Sequence, residues 1–179
     1  MKQILILLIF FCSKLFSQDS PKDEESKRVK DGWAILIGAG FMYGGNIGLL
    51  TEKQILIKEK LRVSPFVSLG IAEGGNDSIL NTKYFWFGYA VGANLEYGKK
   101  HRVIFGPHFV GQNLIGNSVV VKKNFLPAFS FIVGYKGTAR FGLIWQVYIG
   151  DIYMQNDPLK NNENFSHSNH VGIGIGYKF

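Results

Sequence analysis

Cysteine is almost missing from this sequence: Cys12 is the only one in 179 residues. One thiol can form neither an internal disulfide nor a multi-thiolate metal site. Beyond the N-terminal segment there is no apolar run of about 18 residues, which excludes a transmembrane helix there. Charge is sparse, at 18% of residues against about 25% in ordinary soluble domains. The five prolines are scattered, and no low-complexity stretch accounts for the 22 glycines. What is plentiful is glycine and aromatic side chain, the latter 15% of the chain with 15 Phe. That balance points to β-structure with an apolar surface.

The first residues, "MKQILILLIFFCSKLFSQ", have the form of a secretory signal peptide. Lys2 gives the positive start, and Ile4 to Phe11 form an apolar core too short to span a bilayer as a helix. Cleavage after Ser17 is expected, although Leu15 is large for its place before the cut. Phe10 and Phe11 argue against a lipoprotein signal at Cys12, and residues 1–17 are assigned to the signal peptide. Residues 18–31, "QDSPKDEESKRVKD", carry five acids and four bases with no apolar cluster. They are expected to be a disordered, charged periplasmic leader. The formal charge of +7 falls to +5 without Lys2 and Lys14, and residues 32–179 carry +6. For a secreted chain, that basic balance suits an anionic membrane surface better than nucleic acid.

From residue 32 onward apolar and small or polar residues alternate. Eight strands are expected, at 33–42, 46–57, 61–72, 84–97, 102–114, 125–136, 140–153 and 168–179. Each is near or above the 9–11 residues that a tilted strand needs to cross a bilayer. One face is apolar throughout: Trp33, Ile35 and Ile37; Phe85, Phe87 and Val91; Phe129, Phe131 and Val133; Ile173, Ile175 and Tyr177. The other is small or polar, as in Ser64 and Ser68, Gly88 to Glu96 by twos, and Gly172, Gly174 and Gly176. In a soluble sandwich the apolar face would be the core; in a membrane barrel it meets lipid and the other face fills the lumen.

The connections favour the barrel. Three are short, "KEK" at 58–60, "KKH" at 99–101 and "GTA" at 137–139, and each preserves the face assignment. Longer polar connections lie between them, at 73–83, 115–124 and 154–167, while the first connection, 43–45, is short and breaks the pattern. The expectation is an all-β, eight-stranded antiparallel up-and-down transmembrane β-barrel over residues 32–179. Bulky inward residues such as Phe66, Trp86 and Tyr148 would then need small inward neighbours, which the glycines supply.

The last strand, "VGIGIGYKF", ends on an aromatic. It resembles the C-terminal assembly signal of bacterial outer-membrane barrels, with Phe179 at the end, Tyr177 two before it and Gly174 three further back. Gly172 departs from the polar residue usual at its place. Residues 32–179 as a whole resemble the small eight-stranded outer-membrane barrels of the OmpX-like or OmpA-transmembrane-domain kind. That resemblance implies outer-membrane localisation, contact with outer-membrane lipid, insertion by the barrel-assembly machinery and a monomer. Such barrels include structural proteins, adhesion factors and a few enzymes, so fold does not fix task. A structural or surface-interaction role through the loops, with an extracellular ligand left unnamed, is the leading expectation. A lipid A deacylase-like hydrolase and a narrow channel are the alternatives.

Glu52, Arg62, Glu96 and Arg102 are all assigned inward near the short-turn end, where they are expected to pair as a structural network filling the lumen. Lys58, Lys60, Lys99, Lys100, Arg102, Lys136, Arg140 and Lys178 gather at the same end, which should face periplasmic headgroups. "SHSNH" at 166–170 is the most enzyme-like stretch: Ser168 and His170 share a strand face, with Glu163 in the preceding loop. The deacylase motif separates its His and Ser by one residue, whereas His167 stands directly before Ser168, so the resemblance breaks there. His167 and His170 lack a third metal ligand, and His108 is expected to face the lumen as a satisfied polar residue. "GAG" at 38–40 and "GIGIG" at 172–176 lie inside strands and are not phosphate loops. No cofactor, metal or nucleic acid is assigned.

The terminal pattern yields a test. Deleting Phe179, or replacing it with Ser, should lower the yield of membrane-inserted, heat-modifiable protein and leave unfolded chain in the periplasm. Wild-type levels of inserted protein for the deletion would refute the assembly role.

Overall fold

The computed structural model describes residues 31–77, 82–115, 125–154 and 166–179, all within the compact unit Asp31–Phe179. Residues 1–30, Glu163 and most of the two later long connections lie outside these residues. Eight strands follow in order: β1 (Gly32–Gly40), β2 (Gly45–Lys58), β3 (Leu61–Asp77), β4 (Thr82–Gly98), β5 (His101–Ile115), β6 (Phe125–Thr138), β7 (Leu143–Met154) and β8 (Ser166–Lys178). Every strand pairs antiparallel with its sequence neighbours, and β1 pairs with β8 to close the barrel. Closure leaves no strand edge without hydrogen-bond partners, the condition for a sheet in hydrocarbon.

The register gives the stagger. From Ala34 the pairing runs through Glu52, Phe66, Gly92, His108, Ser130 and Ile152 to Ser168, yet Ala34 itself pairs with Lys178 on that same last strand. The sheet therefore closes with strong tilt, as a narrow barrel requires. Side chains alternate across the wall in every strand, β1 for example running buried and exposed by turns from Gly32 to Ile37. The outward residues form an apolar belt, with Ile37, Leu49, Val67, Val91, Val133 and Ile173 all more than half exposed. Such a continuous apolar surface around a closed sheet is what a lipid-facing wall demands and what water penalises. Tyr97, Tyr135 and Tyr177 stand near the short hairpins, while Phe85, Phe87, Phe125 and Tyr153 stand near the long connections. The two aromatic sets thus separate along the barrel.

Besides shifts of one or two residues at other strand ends, two connections differ from the sequence expectation. Gly137 and Thr138 remain in β6, and the last short turn moves to residues 139–142, so β7 starts at Leu143 rather than 140. Ala139 N–H donates to Leu143 O and Gly142 N–H to Ala139 O, and Gly142 adopts φ +94°, which a side chain would resist. The shift moves the strand pairing by an even number of residues, so the faces stay as read. On the other side, β3 and β4 extend to 17 residues each and take up most of the connection expected at 73–83.

The first connection is the larger difference. Phe41–Tyr43 form a single 3-10 turn, η1, and Met42 and Tyr43 are completely buried. This turn folds into the lumen. Phe41, which falls within the first strand expected at 33–42, stands in the turn instead. Gly40 and Gly44 flank it with φ of +114° and +80°, a geometry that lets the chain reverse inward and return.

Its seat is built of glycine. Gly174 pairs with Gly38, Gly38 with Gly48, Gly48 with Gly70 and Gly70 with Gly88, a row across β8, β1, β2, β3 and β4. A Cβ on Gly48 or Gly70 would overlap the carbonyl oxygen of Tyr43, one on Gly88 that of Gly44, and one on Gly174 the Tyr43 hydroxyl. Five strands therefore present bare backbone where the inserted turn lies against them.

Glycine to alanine within a strand ordinarily stabilises by about 0.5–1 kcal/mol. Here the sign should reverse. Gly88→Ala should cost about 1–3 kcal/mol, the usual penalty for overpacking a filled interior, read from the urea midpoint of unfolding in detergent or lipid. An unchanged or raised midpoint would show that the turn does not rest on this wall.

Candidate functional site

The candidate site is the lumen, whose contents fall into three groups. Nearest the short hairpins is an ion network. Glu52 on β2 and Glu96 on β4 are fully buried. Lys136 on β6 lies between them, with Nζ at 2.9 and 2.7 Å from the two Glu52 oxygens and 2.5 Å from Glu96 Oε1. Arg102 on β5 faces Glu96 with Nε 3.2 Å from Oε2, and donates to Gln54 Oε1 (3.2 Å) and Thr138 Oγ1 (2.5 Å). Gln54 Nε2 in turn donates to Glu52 Oε1 at 2.6 Å. Two carboxylates meet two cations, so the group is neutral in its ordinary ionisation, and hydrogen bonds take up much of the remaining capacity. In a low-dielectric lumen that matching is what makes buried charge tolerable.

This corrects two readings. Arg62 points inward and is buried, but it makes no ion pair with Glu52 or Glu96; its Nη1 donates to Gly98 O at 2.9 Å. Although Arg62 stands opposite Glu96 in the strand register, Lys136 and Arg102 already hold that carboxylate. Lys136, counted among the periplasm-facing basic residues, is fully buried instead. Its even number on β6 puts it on the face of Ala128, Ser130 and Ile132, a signal present in the alternation itself.

The second group is the inserted turn. Tyr43 Oη accepts from Gln146 Nε2 at 2.6 Å, and the same amide lies 3.7 Å from Met42 Sδ. Met42 N–H donates to Tyr148 Oη at 3.0 Å, and Ser68 Oγ donates to Met42 O at 2.6 Å. The Tyr43 and Tyr148 rings stack with centroids 6.5 Å apart. The backbone polar groups of Met42 are thereby satisfied by side chains of β3 and β7, which is what lets a non-strand segment sit inside a barrel.

The third group lies on the long-connection side of Lys136. His108 on β5 and Ser130 on β6 are directly paired, and His170 on β8 reaches Ser130 Oγ with Nε2 at 2.9 Å. His108 is 2% exposed and His170 9%. Ser168 is exposed, and among the described residues its Oγ reaches Asn169 O at 3.4 Å. The structure therefore gives His170 a serine, but it is Ser130 within the lumen rather than Ser168. Glu163 lies outside the described residues. Of the terminal pattern, Gly174 lies against Tyr43 inside while Tyr177 and Phe179 face outward. Among the described residues no three His, Cys, Asp or Glu side chains gather as a metal cluster.

No protein-family model matches the sequence, and no curated protein does. Solved structures share its general shape. Ail, an outer-membrane protein of Yersinia pestis, is 12% identical with a TM-score of 0.46, covering 84% of this chain and 100% of its own. A major outer-membrane protein of Thermus thermophilus is 14% identical with a TM-score of 0.43, covering 83% and 99%. The outer-membrane enzyme PagL is 15% identical with a TM-score of 0.43, covering 84% and 99%.

The ion network makes a quantitative prediction. Lys136→Met leaves two buried carboxylates short of a cation and should cost about 3–5 kcal/mol in reversible unfolding. Adding Glu52→Gln and Glu96→Gln to it should recover part of that loss. Arg62→Met, which removes no carboxylate's partner, should cost less than Lys136→Met. Equal losses for the two single variants would refute this division of roles.

Proposed function

We propose that this protein is an integral outer-membrane barrel of the small OmpX-like kind in a Gram-negative envelope, delivered by a cleaved signal peptide, with a closed lumen and no catalysis. Its work is structural, or is done at the cell surface by the long connections. The observation that carries the reading is the occupied interior: neutral ion pairs at one end and an inserted turn seated on glycine beside them. An eight-stranded wall leaves room for side chains but not for an aqueous path as well. On this reading the apolar belt meets outer-membrane lipid, the barrel-assembly machinery acts during insertion, the folded protein is a monomer, and a surface ligand meets the connections.

The hydrolase alternative needs a serine that lipid can reach, activated by His170. Ser130, the serine that His170 contacts, is fully buried inside the barrel. The geometry favours the non-catalytic reading.

The test has two arms. The protein should fractionate with the outer membrane, and purified protein in planar bilayers should give no resolved single-channel steps. Regular steps of defined conductance would replace this reading with the channel. A change in lipid A mass that depends on the gene and is lost in His170→Ala would replace it with the hydrolase.

A further inference from the structure

Charge is distributed unevenly along this chain. Between Glu96 and Asp151 there is no acidic residue, while seven Lys and Arg fall in that stretch. Arg102 and Lys136 turn inward to the ion network, and Lys122 and Lys123 lie outside the described residues. The other three, Lys99, Lys100 and Arg140, are exposed, in the short turns that join β4 to β5 and β6 to β7. Among the described residues, the acids near this end are Asp31 and Glu59, both beside the β2–β3 hairpin. The Asp31 carboxylate is held by Leu56 N–H at 2.8 Å, and Glu59 is in the hairpin itself.

The two basic turns are tied side by side, since Thr138 N–H donates to Lys100 O at 2.9 Å. Next to them on the outer wall, His101, Gly137 and Trp145 stand opposite one another across β5, β6 and β7. Gly137 has no side chain, and the Trp145 indole lies over its backbone, where a Cβ would overlap the ring. The indole thereby approaches His101, with centroids 6.4 Å apart and planes at 65°. His101 Nδ1 is hydrogen-bonded to Tyr135 Oη, and these two rings stack with centroids 5.9 Å apart. When Tyr135 donates, Nε2 carries the imidazole proton and is left as a donor. Further along β5 the outward residues Val103, Phe105 and Phe109 are apolar and exposed.

The outer wall thus passes from aliphatic and phenyl side chains to an imidazole, a phenol and an indole, and then to three cations. That order matches a lipid leaflet read from acyl chain to phosphate, with amphipathic rings at the headgroup level and long basic side chains reaching beyond them. A basic rim attracts any anionic surface. Here the rings are fixed to one another and the turns are tied together, so the cations gather about one position.

We propose that this corner of the barrel binds the phosphate of an anionic glycerophospholipid in the leaflet on the short-turn side. Lys99, Lys100 and Arg140 match its charge, His101 donates to a phosphate oxygen, and Tyr135 and Trp145 lie along its glycerol and first acyl carbons. A zwitterionic headgroup fits less well, because its ammonium meets three cations. The proposal rests on the outer-membrane reading above.

The test uses Trp145 as a local probe. In a Trp33→Phe, Trp86→Phe background it is the one tryptophan left in the chain. Folded, heat-modifiable protein is inserted into phosphatidylcholine vesicles containing a small fraction of phosphatidylglycerol or phosphatidylethanolamine with brominated acyl chains. Quenching of Trp145 should show phosphatidylglycerol enriched about fivefold or more over phosphatidylethanolamine beside it. Adding Lys99→Gln, Lys100→Gln and Arg140→Gln should abolish that preference. Adding Lys53→Gln, Lys58→Gln and Lys60→Gln instead removes equal charge from the β2–β3 side and should leave the preference within about twofold. Equal quenching by the two lipids in the parent, or equal loss in the two triple variants, would overturn the proposal and leave a diffuse basic rim. Failure of the folded protein to enter vesicles of any composition would overturn the outer-membrane reading, and this proposal with it.

Discussion

A closed sheet of eight strands encloses too little space for large side chains from every wall, and the rest of this structure follows from how that space is shared. Along five strands the sequence places glycine, and the room so released is filled by Met42 and Tyr43 from a turn that leaves the wall. On the facing strands the inward residues are large: Tyr148, Ile132, Ile104 and Arg102 are all fully or nearly fully buried. The interior is thus asymmetric, with bare backbone on one side and full side chains on the other. Close packing is reached without any strand giving up its hydrogen-bonded neighbours.

The charged group obeys the same constraint in electrostatic form. A lysine ammonium is compact and can serve two carboxylates from one position, which a planar guanidinium does less easily. Lys136 takes that central place, and Arg102, with more donors, reaches Glu96, Gln54 and Thr138 together. Arg62 is left to a backbone carbonyl. The network joins β2, β4, β5 and β6, strands that are not all adjacent, so it ties the barrel across its diameter as well as around its wall.

Most of the wall was legible from alternation alone, because a period of two is a strong signal when one face meets lipid and the other a packed lumen. Glu52, Glu96 and Arg102 have the inward parity and lie inward. Lys136 has the same parity, although its charge and its nearness to other basic residues suggest the surface. The partner of Arg62 was not legible, since register fixes which residues stand opposite and not which carboxylate is already taken. The inserted turn was hidden for a different reason. Three residues between two strands look like any tight connection, and the evidence for insertion is spread over Gly38, Gly48, Gly70, Gly88 and Gly174, which meet only when the strands are laid in register. The contact of His170 with Ser130 rather than Ser168 likewise depends on two strands separated by a third.

The inserted turn has a consequence for the order of events in folding. It belongs to the first hairpin, yet its contacts with Gln146 and Tyr148 span 103 and 106 residues, and its glycine seat is completed by β8. The wall of β1 to β4 can seat Met42 and Tyr43 on its own, but the bonds to Tyr148 and Gln146 and the contact with Gly174 need β7 and β8, and through them the two ends of the sheet gain a common contact in addition to their mutual ladder. Because long loops must be closed before such contacts are formed, they contribute little to the early rate and much to the barrier against reopening. The turn therefore acts in time as a latch, engaged by closure and resisting its reversal.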